Sequence, residues 1–518
     1  MRDLPERELN PRLRRVDWRF LLPAPRPQRV LCRAGAALTE AVASIAGEVV
    51  TVGSGEKVDL VVAEDPDSFT LAELRDALRP RGACYTEWHP LLGGHRRVER
   101  TLRDAGFVDV TCYRPWPGSA VLPTYWIPLN APGAAAYVRS RGWLGGGRVR
   151  RLVVEVRQRA RGLIQGRRAT RICAMARGPS DTVSGELDPA AWLREHWREW
   201  GLGPIPERLS TLLVTGGPRS VSKVVLLIFA EPSPIPLVAV KAPRVNEAAA
   251  GVRREGAALA SLAARSGGSV SGVPRILVRH EIDGVPLLAE TALVGRPLES
   301  LLAPRRLSPW STKVTDWLAA LAGGAVALPA VHWRDAIVEP TLSRFVEVFG
   351  GVVDRGLLRE AETIVRAIGA LPPVPEQRDL GPWNLLVTPA GELAVLDWES
   401  AEVDGLPTLD LLYYLAYASF NVDRAHDREA RVASYRRSLD FSTLTGAVRR
   451  DCLARYLGAL GIDPARLAPL RVLLWLIHAQ SDVRHAAADA GGPPPADLLA
   501  RSLFLALWAE EVRHVARE

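Results

Sequence analysis

The sequence has few cysteines, and their spacing excludes both a disulfide scaffold and a cysteine-based metal centre. The five are Cys32, Cys84, Cys112, Cys173 and Cys452, an odd number that contains no CxxC pair. Scattered cysteines of this kind are typical of reduced thiols, mostly in the core. We therefore expect a cytoplasmic protein.

Long apolar runs are missing too. No run reaches the length that crosses a bilayer. The first 20 residues are charged throughout and lack the apolar segment of a secretory signal. The chain has 518 residues, of which 47% are hydrophobic and 24% charged. These values indicate a soluble globular protein with roughly two or three domains.

The net charge of +8 does not by itself indicate a nucleic-acid partner. The sequence is rich in Arg, Ala, Gly and Pro and poor in Lys, a usage that a GC-rich genome also produces. We expect no nucleic-acid binding from it. The sequence does not indicate an oligomeric state.

The first 145 residues predict an irregular arm, residues 1–27, followed by an α/β domain, residues 28–145. Strands and helices alternate in this domain, which favours a doubly wound, Rossmann-like sheet. The clearest strand, residues 58–63, reads VDLVVA and has the continuous apolar character of a buried parallel strand.

Three stretches of this domain resemble the class I, S-adenosylmethionine-dependent methyltransferase fold. They read VDLVVA, LAELRDALRPRGACYTEW and LRDAGFVDVTCYRPWP. The cofactor half departs from the family pattern. The turn after the first strand contains only Gly35, the second strand ends at Gly55 without an acid, and the third strand unit is missing. We predict a degenerate domain with a structural or substrate-presenting role, with an active methyltransferase as the alternative.

Residues 146–204 are predicted to connect two domains. The stretch from Arg148 to Arg177 contains many arginines and the single acid Glu155. Its apolar residues lie near helical spacing, so it predicts a basic amphipathic helix. Such a helix either contacts an anionic surface or partner, or is a solvated linker helix between domains, and we favour the linker.

Residues 205–295 predict an antiparallel sheet with a glycine turn at Gly216 and Gly217. Bare backbone at such a turn can approach phosphate oxygens, although an ordinary hairpin is the simpler interpretation. The strand PLVAVK ends at Lys241, which is either a solvent-exposed strand end or a buried phosphate ligand. A helix with the acids Glu247 and Glu255 follows.

Residues 296–518 are predicted to be mostly helical, with one hairpin between residues 377 and 399. Two short apolar runs, 385–387 and 393–396, flank a turn with Pro389 and Gly391. The hairpin would bring Asp379, Asn384 and Asp397 to one end, where their oxygens suit Mg²⁺ and a phosphoryl group. A surface hairpin with capping Asp and Asn is the alternative.

Residues 205–518 resemble the aminoglycoside phosphotransferase and choline kinase superfamily, whose fold is the bilobal protein kinase fold. The resemblance implies an N-lobe over residues 205–295 and a helical C-lobe over residues 296–518. The matching residues occur in family order. They are the loop glycines Gly216 and Gly217, the phosphate-binding Lys241 with its partner Glu255, the hinge residues Thr291 and Ala292, the catalytic Asp379, the metal ligands Asn384 and Asp397, and the structural Asp410.

The resemblance implies ATP and Mg²⁺ as cofactors and a small-molecule hydroxyl as acceptor, such as a sugar, aminocyclitol, amino alcohol or biosynthetic intermediate. One departure concerns Gln377 and Arg378, where the family has His-Gly. Glutamine can keep a hydrogen bond at that position. Two other hypotheses remain open. One is a pseudokinase-type binding module without turnover, and the other is a methyltransferase with a regulatory kinase-like half.

Overall fold

The computed structural model describes residues 11–50, 55–89, 94–116, 123–140, 171–179, 191–216, 223–490 and 495–518. These residues form two compact units. The sheet unit contains the described residues up to 253 together with residues 276–292. The helical unit contains residues 254–275 and 293–518. The five predicted segments have their boundaries at other residues.

A mixed sheet of twelve strands organises the sheet unit, in the order β11-β12-β10-β9-β8-β6-β5-β7-β4-β3-β1-β2. The strand bounds are β1 Arg29–Arg33, β2 Glu48–Val50, β3 Val58–Glu64, β4 Leu78–Trp88, β5 Val108–Trp116, β6 Tyr125–Pro128, β7 Ile172–Arg177, β8 Leu209–Val214, β9 Lys223–Ala230, β10 Pro236–Pro243, β11 Ile276–Ile282 and β12 Val285–Thr291.

The strands β2, β1, β3 and β4 run parallel to one another. Five of the seven residues of β3 are buried, as its continuous apolar run predicts. Short helices accompany these strands: α1 Pro11–Arg15, α2 Ala36–Ala43, α3 Ser68–Ala77, α4 Gly94–Asp104, α5 Pro132–Ser140 and α6 Ala191–His196. In α3, Asp67 caps the N-terminus because its side chain accepts a hydrogen bond from the Thr70 amide.

The predicted basic amphipathic helix is wrong over its described part. Residues 148–170 lie outside the described residues, but Ile172–Arg177 is strand β7 and pairs antiparallel with both β4 and β5. The run ICAMA is fully buried there. A short apolar run suits a central strand as well as a helix, and its partners lie more than 50 residues away in sequence, so only the tertiary structure identifies it.

Strands β8 to β12 form an antiparallel half of the sheet. This half adjoins β6, and the antiparallel strands β6, β5 and β7 separate it from the parallel strands. Trp126 of β6 pairs with Leu213 of β8, which joins the two halves. Helix α5 reinforces this junction, because its Tyr137 packs edge-on against Phe229 of β9 at 5.3 Å. The carboxylate of Glu231 accepts the amides of Gly133 and Ala134 in the first turn of α5.

The helical unit contains the last residues of α7 and most of the later helices. The bounds are α7 Ala249–Arg265, α8 Pro304–Ala322, α9 Ala330–Trp333, α10 Glu339–Phe349, α11 Arg355–Arg366, α12 Leu409–Val422, α13 Arg428–Leu439, α14 Leu444–Leu460, α15 Leu467–Ala490, α16 Ala496–Ala500 and α17 Leu503–Val515. Its short strands are β13 Arg296–Pro297, β14 Val374–Glu376, β15 Leu385–Val387, β16 Leu393–Val395 and β17 Glu402–Gly405. Within the part of the chain described here, we find no helix with the length and apolarity that a membrane span needs.

Helix α12 lies at the centre of the helical unit, and twelve of its residues are buried. It packs against α8, α13, α14 and α15. A helix that is apolar on all sides is buried rather than amphipathic, which explains the sequence LDLLYYLAYASF. Such a helix fixes the position of any polar group that it carries.

Candidate active site

The predicted hairpin forms, and it carries the candidate catalytic residues. Leu385 pairs with Val395 and Val387 with Leu393. The amide of Leu396 donates to the carbonyl of Asn384 at 2.8 Å. This bond joins the start of one strand to the end of the other and brings the loop of Asp379 and Asn384 beside that of Asp397.

Asp379 is held by two side chains. Its Oδ2 accepts a hydrogen bond from Asn384 Nδ2 at 3.1 Å, and its Oδ1 accepts one from the Tyr413 hydroxyl at 3.2 Å. Burial, together with Tyr417 and Asp379, raises the pKa of Tyr413 well above its ordinary value. The phenol therefore stays protonated and donates to the carboxylate.

Gln377 replaces the family histidine and connects the two loops. Its Oε1 accepts the amide of Asp379 at 2.8 Å. Its Nε2 donates to the carbonyls of Leu396 at 3.0 Å and of Asp397 at 2.5 Å. The side chain is fully buried. One amide thus supplies both a donor and an acceptor, which keeps the hydrogen bonding that the sequence predicted in general terms.

Arg378, at the position of the family glycine, has a φ of +66°. Residues other than glycine seldom adopt this left-handed conformation, so neighbouring contacts must hold it. Its Nε donates to the buried Glu376 carboxylate at 2.8 Å. Asp410, near the start of α12, accepts the amides of Gln377 at 2.6 Å and of Arg378 at 2.8 Å. The structural role predicted for Asp410 is consistent with these contacts.

Asp410 and Glu376 form a buried acidic pair below this loop. Burial and the neighbouring Glu376 raise the pKa of Asp410 to about 7, although two backbone amides and Arg378 oppose that rise. Burial also raises the pKa of Glu376, against the opposing effect of Arg378. Arg378 is therefore the cation that compensates this pair on the hairpin side.

Glu255, on α7, is fully buried and contacts the loop of Asp397. Its Oε1 accepts the amide of Trp398 at 2.9 Å, and Trp398 directly follows Asp397. Asp397 has a φ of +63°. The contact with Glu255 therefore helps to hold a strained turn at the predicted metal ligand.

Lys241 lies in the sheet unit and is buried rather than solvent-exposed. Its Nζ is 2.6 Å from Oε1 of Glu290 on β12, and only 7% and 2% of the two side chains are exposed. Lys241 pairs with Leu288, so Glu290 lies two residues along β12 and faces the same side of the sheet. The predicted partnership of Lys241 with Glu255 stays a prediction.

The other predicted nucleotide contacts also lie in the sheet unit. Gly216 follows β8 with a φ of +60°, a conformation that glycine adopts at little cost. Gly217 lies outside the described residues. Thr291 ends β12, and the amide of Ala292 donates to the carbonyl of Leu237 at 3.0 Å.

The donor set at the hairpin fits Mg²⁺. The side-chain nitrogen Nδ2 of Asn384 faces Asp379, so the side-chain oxygen Oδ1 is the atom that Asn384 would present to a cation. Asp397 supplies a carboxylate. Mg²⁺ in nucleotide sites is held by one or two protein oxygens together with phosphates and water. No cluster of three or more His, Cys, Asp or Glu is found among the described residues, so Mg²⁺ binding at Asn384 and Asp397 stays a prediction.

A cavity of about 440 Å³ lies beside this loop within the helical unit. It is lined by charged and polar groups that include Arg378, Glu399, Asp410 and His478. The His478 ring stacks on Tyr413 with centroids 4.3 Å apart. A volume of this size suits a small polar molecule.

Sequence reasoning missed two of these contacts. They are the hydrogen bond from Tyr413 to Asp379 and the ion pair of Glu290 with Lys241. The pairing of β10 with β12 would have placed Glu290 on the face of Lys241, because side chains repeat every two residues. No local signal marks the contact of Tyr413 with Asp379, because the two are 34 residues apart.

A dinucleotide-binding fold binds its cofactor at the carboxyl ends of its parallel strands. Here Glu64, at the end of β3, lies against the start of α2. Its carboxylate accepts the amide of Gly35 at 3.2 Å. Asp65 has a φ of +44° and accepts hydrogen bonds from the backbone and side chain of His89. Carboxylates of the protein itself therefore engage the donors at this edge.

Comparison with known proteins supports the predicted phosphotransferase resemblance. The family model described as "Phosphotransferase enzyme family" matches residues 222–450. The match spans less than half of the chain and includes Lys241, Glu255, Asp379, Asn384 and Asp397. A comparison with curated proteins finds no match. These comparisons give no support to the methyltransferase-like resemblance of residues 28–145.

Several solved structures are similar to this chain at low identity. A thermostable mutant of aminoglycoside phosphotransferase APH(4)-Ia is 16% identical, with 62% of this chain and 98% of that chain covered and a TM-score of 0.36. A putative fructosamine-3-kinase from Haemophilus somnus 129PT is 12% identical, with 62% and 96% covered and a TM-score of 0.35. An aminoglycoside-3'-phosphotransferase of type VIII is 19% identical, with 54% and 97% covered and a TM-score of 0.33. These scores alone do not establish a shared fold.

Proposed function

We propose that this protein is an ATP-dependent phosphotransferase that transfers the γ-phosphate to a hydroxyl group of a small molecule. The observation that carries the proposal is the loop of Asp379 and Asn384, held against the loop of Asp397 by Gln377 inside the segment matched by the family model. A cytoplasmic location is part of the same proposal.

In the proposed mechanism, Asp379 accepts the proton of the acceptor hydroxyl and orients its oxygen toward the γ-phosphate. Tyr413 and Asn384 hold the carboxylate in one orientation, which limits the rotation that catalysis would otherwise have to restrict. Asn384 and Asp397 would hold Mg²⁺, which would supply positive charge against the phosphates. Lys241 binds the α- and β-phosphates, with Glu290 and the predicted Glu255 as its acidic partners.

The acceptor is proposed to be a small hydroxylated molecule with polar substituents. The cavity beside Arg378 supports a polar acceptor, because acidic and basic side chains both line it. A sugar and an amino alcohol both belong to this class, and either could form hydrogen bonds with the polar residues that line the cavity.

The test is phosphate transfer from radiolabelled ATP with Mg²⁺ to a panel of hydroxylated metabolites. We expect Asp379→Asn to lower turnover by roughly 100-fold or more while MgATP still binds, since the amide cannot accept the proton. Asp404→Asn is the matched control, because Asp404 is an exposed carboxylate in the same unit that pairs with Arg265. Wild-type activity of Asp379→Asn on an acceptor would contradict the assigned base.

A binding module without turnover is the second candidate. Both carboxylate oxygens of Asp379 already accept hydrogen bonds, so an acceptor hydroxyl must share the carboxylate with Tyr413 and Asn384. MgATP binding without transfer to any member of a broad acceptor panel would favour this candidate over the enzyme.

A further inference from the structure

Residues 11–22 of the N-terminal arm contact the part of the sheet unit that carries the predicted nucleotide residues. We propose that Asp17 of this arm, acting through Arg244, positions the entry to the glycine turn relative to Lys241 and thereby sets the affinity for MgATP. The inference rests on the proposed function, because it concerns the nucleotide half of the same site. Asp17 is a positioning residue that lies far outside the segment matched by the family model.

A buried arginine forms the centre of this arrangement. Arg244 and Asp17 are both fully buried, and Arg244 Nε donates to Asp17 Oδ1 at 3.0 Å. Arg244 Nη2 donates to the carbonyl of Thr215. A second arginine of the arm, Arg19, donates from Nη2 to the carbonyl of Arg244. The arm therefore contacts both the side chain and the backbone of Arg244.

The positions of Thr215 and Arg244 explain why this contact concerns phosphate binding. Thr215 is the residue between β8 and Gly216, and Arg244 directly follows β10, three residues after Lys241. Val225 of β9 lies opposite both Val214 of β8 and Lys241 of β10. Val214 and Lys241 therefore lie at the same level of the sheet, and Arg244 links the ends of their two strands through Thr215.

Strand-end residues from the N-terminal region hold Thr215 from the other side. The amide of Thr215 donates to the carbonyl of Thr124 at 2.9 Å, and its hydroxyl donates to the carbonyl of Pro123 at 3.0 Å. Displacements of about 1 Å at a phosphate-binding group are costly for catalysis and binding. A contact that fixes Thr215 relative to β10 therefore acts on the nucleotide.

The same arm has a second anchor that serves as an internal control. Arg15 donates to the buried Glu87 of β4 from Nη1 at 2.5 Å and from Nη2 at 2.6 Å. Trp18 stacks on Tyr85 of the same strand, with ring centroids 3.7 Å apart. Because this anchor is on β4, its loss loosens the arm but removes neither the ion pair of Asp17 with Arg244 nor the bond from Arg244 to Thr215.

The test measures MgATP binding to the full chain by calorimetry, with thermal unfolding of each variant recorded in parallel. We expect Asp17→Asn to weaken MgATP binding by roughly tenfold or more. Arg244→Lys keeps the charge but loses the planar fork, and we expect it to weaken binding as well. Glu87→Gln should lower thermal stability yet bind MgATP within about twofold of wild type. Lys241→Met gives the reference for loss of a direct phosphate contact.

Once an acceptor is known, the KM for ATP should rise in Asp17→Asn while the KM for the acceptor stays unchanged. The inference is overturned if folded Asp17→Asn and Arg244→Lys bind MgATP as wild type does. It is also overturned if Glu87→Gln weakens binding as much as Asp17→Asn, because the effect would then reflect general loosening. Failure of wild-type protein to bind MgATP would instead overturn the proposed function, on which this inference depends.

Discussion

At the scale of single residues, Gln377 supplies hydrogen bonds at the position where the resembled superfamily has a histidine. A histidine ring offers one donor and one acceptor when neutral, and the Gln377 amide offers both in the observed contacts. The sequence could predict that a hydrogen bond survives. It could not predict that the bonds connect the loops of Asp379 and Asp397, because the partner carbonyls are about 20 residues away.

Gln377→Ala should lower kcat by roughly tenfold or more and destabilise the protein by about 1–3 kcal/mol. It leaves the amide of Asp379 and the carbonyls of Leu396 and Asp397 without these bonds. Gln377→His should retain most of the activity, because the ring can replace one donor and one acceptor. Steady-state kinetics and thermal unfolding provide the measurements. Full activity of Gln377→Ala would show that the connection between the loops is dispensable.

At the scale of elements, helix α12 holds the loop that contains Gln377, Arg378 and Asp379. Asp410, in its first turn, accepts two loop amides, and Tyr413, three residues later, reaches Asp379. Residues three apart lie on the same side of a helix, so one face of α12 holds both contacts. The loop is thus supported by an element that is itself almost completely buried.

The protein should lose stability as pH rises from about 4 to about 7, through Asp410. Its ordinary pKa of 3.8 is raised to about 7 in the folded state. The folded chain therefore holds a proton that the unfolded chain releases in this window, and this contribution is complete below the window and lost above it. The unfolding equilibrium should shift by up to about tenfold per pH unit.

The measurement is the difference in free energy of unfolding between wild type and Asp410→Asn across this pH range, since the difference cancels most other titrations. Glu376, Arg378 and Tyr456 are the ionisable groups that act on Asp410 from neighbouring segments. Glu376→Gln removes an adjacent carboxylate and should move the upper limit of the window to lower pH. A difference that does not change with pH would rule out titration of Asp410.

Local patterns predicted the elements that rest on local signals. The hairpin of β15 and β16 follows from two apolar runs around a turn with Pro389 and Gly391, and the strand β3 follows from VDLVVA. The patterns failed where pairing is distant. Strand β7 was assigned to a helix, and β6 and α5 were not predicted, because short segments of this kind are defined by their neighbours in the sheet.

At the scale of the whole molecule, the α/β region that precedes the kinase-like segment continues into the same sheet as that segment. Sequence reasoning treated it as a separate domain because composition and motifs change near residue 205. The pairing of β6 with β8 and the packing of α5 on β9 are long-range contacts, which the sequence of one segment cannot predict. These contacts join the region to the antiparallel half of the sheet.

S-adenosylmethionine should not bind measurably to the full chain. Glu64 already accepts the amide of Gly35 at the start of α2, a donor that a bound cofactor would use. The turn before α2 also contains only Gly35, whereas close approach of a ligand to the backbone needs a glycine-rich turn. Isothermal calorimetry with S-adenosylmethionine provides the measurement, and MgATP provides the positive control. Saturable binding of S-adenosylmethionine would restore the methyltransferase hypothesis.

The continuous sheet also changes the number of strand edges that are open to pairing. Two separate sheets would have four edges, each with unpaired amides and carbonyls that can template pairing with another copy. Joining them through β6 and β8 removes two of these edges. The two that remain are β2, which is only three residues long, and β11, which carries Arg279 and Glu281. Short and charged edges disfavour pairing with another copy, so the fusion of the two halves leaves fewer edges open to such pairing.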